Sequence, residues 1–238
     1  MSFIPQYSII IPAAGIGKRM QSVVPKQYLL LAGKTIIEQT ISGLLAHPQI
    51  KRVVIVLSAK DETFHTLPVA NDPRVETTIG GKERSDSVLA GLHYLSNSHE
   101  KWVLVHDAAR PCLLHKDLTR LLRLAEKSDL GGILATPVRD TMKRANANNL
   151  VAHTEPRENL WHALTPQFFM LEQLRNALIK AAENNIVITD EASAIEYVQQ
   201  GVHIVEGCAS NIKVTKPEDL LLAEFYLTQR TLSHKDKK

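Results

Sequence analysis

Over roughly the first 130 residues of this 238-residue chain, short apolar runs alternate with helical patterns, and this rhythm restricts the fold more than any single motif does. YSIII at 7–11, RVVIVL at 52–57, residues 74–79, WVLVH at 102–106 and residues 132–136 read as strands. Between them, Ile36, Ile37, Thr40, Ile41, Leu44 and Leu45 share one face at helical spacing. Residues 85–95 bring Val88, Leu89, Leu92 and Leu95 to one face, residues 114–125 form a third helix, and a short helix covers 61–67. Strand, helix, strand in succession imposes parallel pairing with right-handed crossovers. Strands that are apolar almost throughout need cover on both sheet faces. The expected fold class is therefore α/β, a doubly wound, mostly parallel sheet, with its ligands beyond the carboxyl ends of the strands.

The rhythm breaks after Pro137. Residues 139–154 are polar, with NANNL at 146–150 as a turn between two strand-like pieces. Such a hairpin cannot bury itself in the core. It is either a loose loop or a protruding β-arm steadied by a partner subunit. Helical patterns resume at 168–184 and 190–199, a strand follows at 203–206, and a last helix runs from Pro217 to about Thr228. Without internal repeats, the chain reads as a single domain over 1–238 with a dimerisation arm at about 138–156.

Composition narrows the ligand. The formal charge is +3, too small for a nucleic-acid footprint, and Lys18, Arg19, Lys82 and Arg84 sit near glycines, as for a small anion. The basic end HKDKK at 234–238 reads as a solvated tail. Two cysteines, Cys112 and Cys208, without a CxxC pattern point to a reducing compartment. The start lacks the pattern of a signal peptide and no run reaches 18 apolar residues, so a cytoplasmic protein with no membrane partner is expected.

The stretch PAAGIGKRM at 12–20 follows the first strand. A dinucleotide fingerprint needs a third glycine where Met20 stands. A phosphate-binding P-loop needs a leading glycine where Pro12 stands, and a Ser or Thr where Arg19 stands. What remains is geometric: Ala13, Ala14, Gly15 and Gly17 let backbone N–H groups approach a ligand, while Lys18, Arg19 and, from the PKQ that follows, Lys26 bring cations to it. A tight turn with surface basics is the bland reading. Two cations on one phosphate would stabilise the charge that builds up in nucleotidyl transfer.

GGKERSDSV at 80–88 is a second close-approach loop: Gly80 and Gly81 end a strand, and Ser85 and Ser87 either cap the next helix or bond a ligand. Arg84 stands where the helix dipole disfavours a cation, which a nearby anion would repair. In HDAARP at 106–111, Asp107 ends an apolar strand and reads as a Mg²⁺ ligand beside a polyphosphate, with a salt bridge to Arg110 as the alternative. His106 reads as buried and structural. Arg157 is placed to take an anionic substrate, and Lys213 in NIKVT at 211–215 faces either the pocket or the surface. No Ser/His/Asp or Cys/His pattern stands in a nucleophile's context. The residues describe a phosphate-handling enzyme that works through metal and cations.

PAAGIGKRM, PKQY, GGKERSDSV, VHDAARP, PVRDTMKR, LWHALTPQFF, TDEASA and NIKVTKPEDL occur in this order, and together the chain resembles the 2-C-methyl-D-erythritol 4-phosphate cytidylyltransferase family over nearly its whole length. The resemblance implies a Rossmann-like nucleotidyltransferase fold and transfer of CMP from CTP to 2-C-methyl-D-erythritol 4-phosphate, with release of pyrophosphate, in non-mevalonate isoprenoid synthesis. It implies Arg19 and Lys26 as catalytic cations. The nucleotide would contact Ala13, Ala14, Gly15, Gly17, Lys18, Gly80, Gly81, Ser87, Asp107 and Lys213, with Asp107 beside Mg²⁺. The acceptor would contact Thr141, Arg157 and Thr165. It also implies a homodimer whose arms exchange. Two departures stand out. Lys82 occupies a place where the pattern often has Asp, which touches on base selectivity, and Ser210 replaces an acidic residue that could assist a metal. Other readings of the same loops are a nucleotidyltransferase for ribitol 5-phosphate or a sugar phosphate, and a CTP-binding regulatory module without turnover.

Overall fold

The computed structural model describes residues 5–15 and 24–235. Its main sheet has seven strands: β1 (Tyr7–Pro12), β4 (Ile50–Leu57), β5 (Val75–Ile79), β6 (Trp102–Val105), β7 (Gly132–Pro137), β10 (Trp161–Met170) and β11 (His203–Glu206). They lie in the order β11-β7-β10-β6-β1-β4-β5. All neighbours pair in parallel except β10, which is antiparallel to both β6 and β7. Two short strands, β2 (Leu30–Leu31) and β3 (Lys34–Thr35), form a hairpin, and β8 (Met142–Ala145) and β9 (Val151–Glu155) form another.

Strand periodicity sorts the core into two layers. Ile9, Ile11, Val53, Ile55, Leu57 and Leu104 face one side, where α1 (Ile36–Leu45) and α3 (His115–Leu122) cover them with Ile37, Ile41, Leu118 and Leu121. Ile10, Val54, Val56, Val103 and Val105 face the other, under α2 (Arg84–Leu95), α5 (Leu171–Glu183) and α6 (Glu191–Tyr197). A four-residue helix, α4 (Leu124–Lys127), extends α3, and α7 (Pro217–Lys235) packs Ala223 against Leu31, Ile36 and Val214. The two-sided cover is why YSIII and RVVIVL read as unbroken apolar runs.

Most sequence-predicted elements hold to within a few residues. Strand β10 is the correction. The helical pattern at 168–184 predicts a helix over that whole span, whereas the strand runs through Met170 and α5 starts at Leu171. Pro166 and a register break between Ala163 and Gln167 hide its period. Phe168 stacks on Trp102 on one sheet face, and Phe169 enters the opposite core. The expected helix at 61–67 is instead a single 3₁₀ turn at Phe64–Thr66, followed by another at Pro68–Asn71.

The order of strands fixes where a ligand can sit. From β1 the chain moves outward through β4 to β5, then returns to place β6 on the other side of β1. Loops leaving β1 and β6 diverge there, and a crevice opens at the carboxyl edge.

Gly91 shows how closely α2 lies on the sheet: a Cβ there would stand 2.6 Å from Ile10 Cγ2. At Gly43, exposed in α1, a Cβ would meet nothing within 4 Å among the described residues. Alanine should therefore act with opposite sign at the two sites. Gly43→Ala should stabilise by about 0.5–1 kcal/mol through helix propensity, whereas Gly91→Ala should destabilise by about 1–3 kcal/mol through overpacking. Urea midpoints that move the same way would contradict this packing.

Burial also holds the imidazoles of His47 and His106 down to about 4. Unfolded, each binds a proton near 6.5, so between these values the unfolded chain binds more protons. Their contribution is complete above pH 6.5 and is lost as pH falls towards 4; for the fully buried His106 it is on the order of 3 kcal/mol. The urea midpoint should drop through this window, and a flat profile from pH 7 to 4.5 would count against it.

Candidate active site

The crevice is floored by backbone. Directly after β1, the Ala13 N–H donates to Val56 O (2.8 Å), and Gln27 Nε2 donates to Ala13 O (3.1 Å). After β5, the Gly80 N–H donates to Leu57 O at 2.8 Å, which draws the second glycine loop over the same edge. Only glycine fits that approach: a Cβ on Gly80 would lie 2.6 Å from Ser87 Oγ, 2.9 Å from Val56 Cγ1 and 3.0 Å from Ala14 Cβ. At Gly15 a Cβ would meet nothing within 4 Å among the described residues. Of the sequence-predicted residues, Ala13, Ala14, Gly15, Lys26, Gly81, Ser87, Asp107 and Lys213 line one cavity of 330 Å³. Gly80 supports it from beneath. Gly17, Lys18 and Arg19 lie outside the described residues.

Asp107 organises the electrostatics. Its carboxylate meets Lys213 Nζ at 2.9 Å, Arg110 Nε at 3.3 Å and Arg84 Nε at 3.4 Å. Burial pushes this carboxyl up, but the charges of Lys213, Arg84 and Arg110 outweigh it and hold it well below the usual carboxylate range. Lys213 thus faces the pocket, one of the two places the sequence allowed. The anion expected beside Arg84 is protein: its guanidinium is forked onto Glu191 (2.6 and 3.1 Å). Burial pushes the Glu191 carboxyl up, while the fork bonded to both its oxygens favours the carboxylate.

Other loops lock onto this cluster. Arg110 Nη1 donates to Asn211 O at 2.7 Å, and the Val214 N–H donates to Ala109 O at 2.8 Å, which fixes the NIKVT segment beside HDAARP. Lys26 Nζ donates to Val214 O at 3.4 Å, so the PKQ turn closes on the same segment. Ser87 does not cap α2. Its hydroxyl donates to Glu83 O (3.2 Å), and Asp86 instead accepts from the Glu83 N–H (3.0 Å).

Thr165 lies in an adjoining cavity of 230 Å³ that shares Arg84, Asp107 and Lys213 with the first. Around the two cavities, Lys26, Lys82, Arg84, Arg110 and Lys213 face Glu83, Asp107 and Asp190, and with Glu191 behind Arg84 this makes five cations to four carboxylates among the described residues. That balance suits a polyanion. Thr141 and Arg157 line neither cavity. Both are exposed at the base of the β8–β9 arm, where Arg157 Nη1 donates to Arg139 O. Ser210 bonds Cys208 Sγ at 3.2 Å, and Lys82 is on the cavity wall.

Among the described residues no group of three or more His, Cys, Asp or Glu could hold a metal. Asp107 is a lone carboxylate shared by three cations, so its donor set fits a Mg²⁺ that arrives bound to phosphates rather than one held by protein alone. A larger groove of 860 Å³ beside α1 has three of its four charged lining side chains committed locally: Arg74 bonds Asp72, and Glu38 bonds Thr35.

The sequence reading left out Arg84 and Arg110 as site residues, and Glu191 altogether. The available signal was TDEASA, a carboxylate in the first turn of a helix, but its partner lies 107 positions away.

The model of the 2-C-methyl-D-erythritol 4-phosphate cytidylyltransferase family matches residues 7–229. A protein of that name from Pseudoalteromonas atlantica is 59% identical over 230 residues, covering 97% of this chain and 99% of its own. One from Escherichia coli O1:K1 is 58% identical over 221 residues, covering 92% and 93%. The crystal structure of the Francisella tularensis enzyme superposes with a TM-score of 0.80 at 34% identity, covering 93% of this chain and 99% of that one. With the glycine loops, Asp107 and Lys213 brought to one crevice of a matching sheet, the chain belongs to the 2-C-methyl-D-erythritol 4-phosphate cytidylyltransferase family.

Proposed function

We propose that the paired cavities bind CTP and 2-C-methyl-D-erythritol 4-phosphate and transfer CMP between them. One phosphate oxygen of the acceptor bonds to the α-phosphorus of CTP. The bond to the β-phosphate oxygen breaks, and its electron pair leaves with pyrophosphate. The observation that carries this reading is the convergence of Lys26, Lys213, Arg84 and Asp107 on a cavity floored by the Ala13–Gly15 backbone.

In this reading the backbone N–H groups of Ala14 and Gly15, with Gly17 and Lys18, hold the triphosphate, while Ala13, whose N–H is bonded to Val56 O, shapes the cavity wall. Gly80, Gly81 and Ser87 receive the base and ribose, where tight backbone packing leaves a slot. Lys213 pairs with phosphate, and Lys26 and Arg19 stabilise the charge that develops as the new bond forms. Mg²⁺, with Asp107 as its protein ligand, would supply further charge neutralisation at the phosphates. Thr165 meets the acceptor beside Lys213 and Arg110.

Thr141 and Arg157 belong to the acceptor site of a second copy. The exposure of the arm, and the absence of Thr141 and Arg157 from the lining of either cavity, support a homodimer in which each arm crosses to its partner. The single-domain boundaries 1–238, with the arm at about 138–156, belong to the same reading. A cytoplasmic location is supported by two cysteines that are free in this fold, and no helix among the described residues is long and apolar enough to cross a membrane.

Lys26→Ala should lower kcat by about 10²–10³-fold with CTP and acceptor both saturating. Pyrophosphate release at the wild-type rate would remove Lys26 from the mechanism. A binding module would release none even with Lys26 in place, and ribitol 5-phosphate tested beside methylerythritol phosphate separates the two acceptor readings.

Arm exchange has its own test. Lys26→Ala and Arg157→Ala subunits should each form nearly inactive homodimers. Co-expressed, they should recover about a quarter of wild-type activity, because half the dimers are mixed and one of their two sites is intact. If Arg157 serves its own subunit, mixing restores nothing.

A further inference from the structure

We infer that His106 is a positioning residue that turns the Thr165 hydroxyl into a hydrogen-bond acceptor towards the cavity, so that Thr165 receives a hydroxyl of the polyol acceptor rather than donating to its phosphate. The inference rests on the reading above that Thr165 lines the acceptor site.

It comes from counting hydrogens in a closed set of four groups. The Asp107 N–H donates to Thr165 Oγ1 at 3.0 Å, and a backbone amide can only donate. His106 Nε2 lies 3.1 Å from Arg110 O, and a carbonyl can only accept, so Nε2 carries the hydrogen. His106 is wholly buried, and the groups that meet its ring, the Arg110 carbonyl, the Thr165 hydroxyl and the Thr165 backbone, are all neutral. An imidazolium there would be a buried charge without a bonded counter-ion, so the ring is neutral with a bare Nδ1. That Nδ1 is 3.0 Å from Thr165 Oγ1, and it must be the acceptor. The only hydrogen on the threonine hydroxyl is therefore committed to His106. One lone pair holds the Asp107 N–H, and one lone pair is left for the cavity.

The consequence is chemical selection. A phosphate oxygen brings only lone pairs and would meet a lone pair. A substrate hydroxyl brings a donor and fits. The phosphate is left to Lys213 and Arg110, whose side chains can only donate. The same ring bonds the Arg110 carbonyl while Thr165 accepts from the Asp107 N–H, so Thr165 is linked to both ends of the Asp107–Arg110 turn.

The experiment compares three proteins. Thr165→Val removes the hydroxyl at constant volume. His106→Gln keeps a donor for Arg110 O but offers no fixed acceptor at the Nδ1 position, so the threonine hydrogen is released to rotate. The third is the double variant. Each single change should raise KM for methylerythritol phosphate by about tenfold while KM for CTP changes less than about twofold. The double variant should be no worse than Thr165→Val. Parallel rises in both KM values, unchanged kinetics in His106→Gln, or additive losses would overturn the role of His106. No effect of Thr165→Val would instead remove Thr165 from the acceptor site. Should His106→Gln fail to fold, the wild-type protein still decides. Nitrogen-15 NMR of the His106 ring should report the neutral Nε2–H tautomer, and an Nδ1–H ring or an imidazolium at pH 7 would overturn the inference.

Discussion

Buried just beyond β6, the Asp107 carboxylate draws together three cations, two of them from distant segments: Arg84 at the start of α2, Lys213 in the NIKVT stretch and Arg110 in the turn that follows. A buried charge is tolerated only when it is paired and hydrogen-bonded. Here the pairing is reciprocal. Without Asp107, the three cations would repel across the crevice. Without the cations, the carboxylate would have to take up a proton. The pocket can thus hold a positive excess before a ligand arrives, because part of that excess is already neutralised inside the protein.

Glu191 extends the same logic. It takes up the closer pairing of Arg84, at 2.6 Å against 3.4 Å for Asp107, so that Asp107 is relieved of part of that charge. It stands in the first turn of α6, whose N-cap is Asp190. Asp190 in turn accepts from Gln167 Nε2 at 2.8 Å, which links the cluster to β10. Strand β10, inserted antiparallel among parallel neighbours, therefore carries Thr165 to the crevice and anchors the helix that balances its charge. A fully parallel sheet could not deliver Thr165 at this edge, since its strand would run the other way.

Legibility followed the range of the interactions. Ile9, Ile10 and Ile11 betray a two-faced buried strand because period-two burial is a local property. Helix α1 is legible for the same reason at period 3.6. Met20 and Arg19 excluded two familiar phosphate loops because those loops demand particular residues at fixed spacing. Strand β10 was lost because Pro166 and the register break erase its period, and its burial comes from neighbours far away in sequence. Arg84 is the instructive intermediate. Its awkward place at a helix start announced a missing anion, but the chain could not say whether that anion was substrate or protein.

By itself, the sequence determined the α/β rhythm, the carboxyl-edge glycine loops and, by the order of its motifs, the family to which the chain belongs. These are matters of local pattern and residue identity. Only the tertiary structure decided which charges meet: that Asp107 is shared by three cations, that Arg84 is held by Glu191, that Lys213 faces the pocket, and that His106 governs the hydrogen of Thr165. Such pairings join residues up to 107 positions apart. They depend on the sheet order and on where each strand ends, and no spacing within a motif records that.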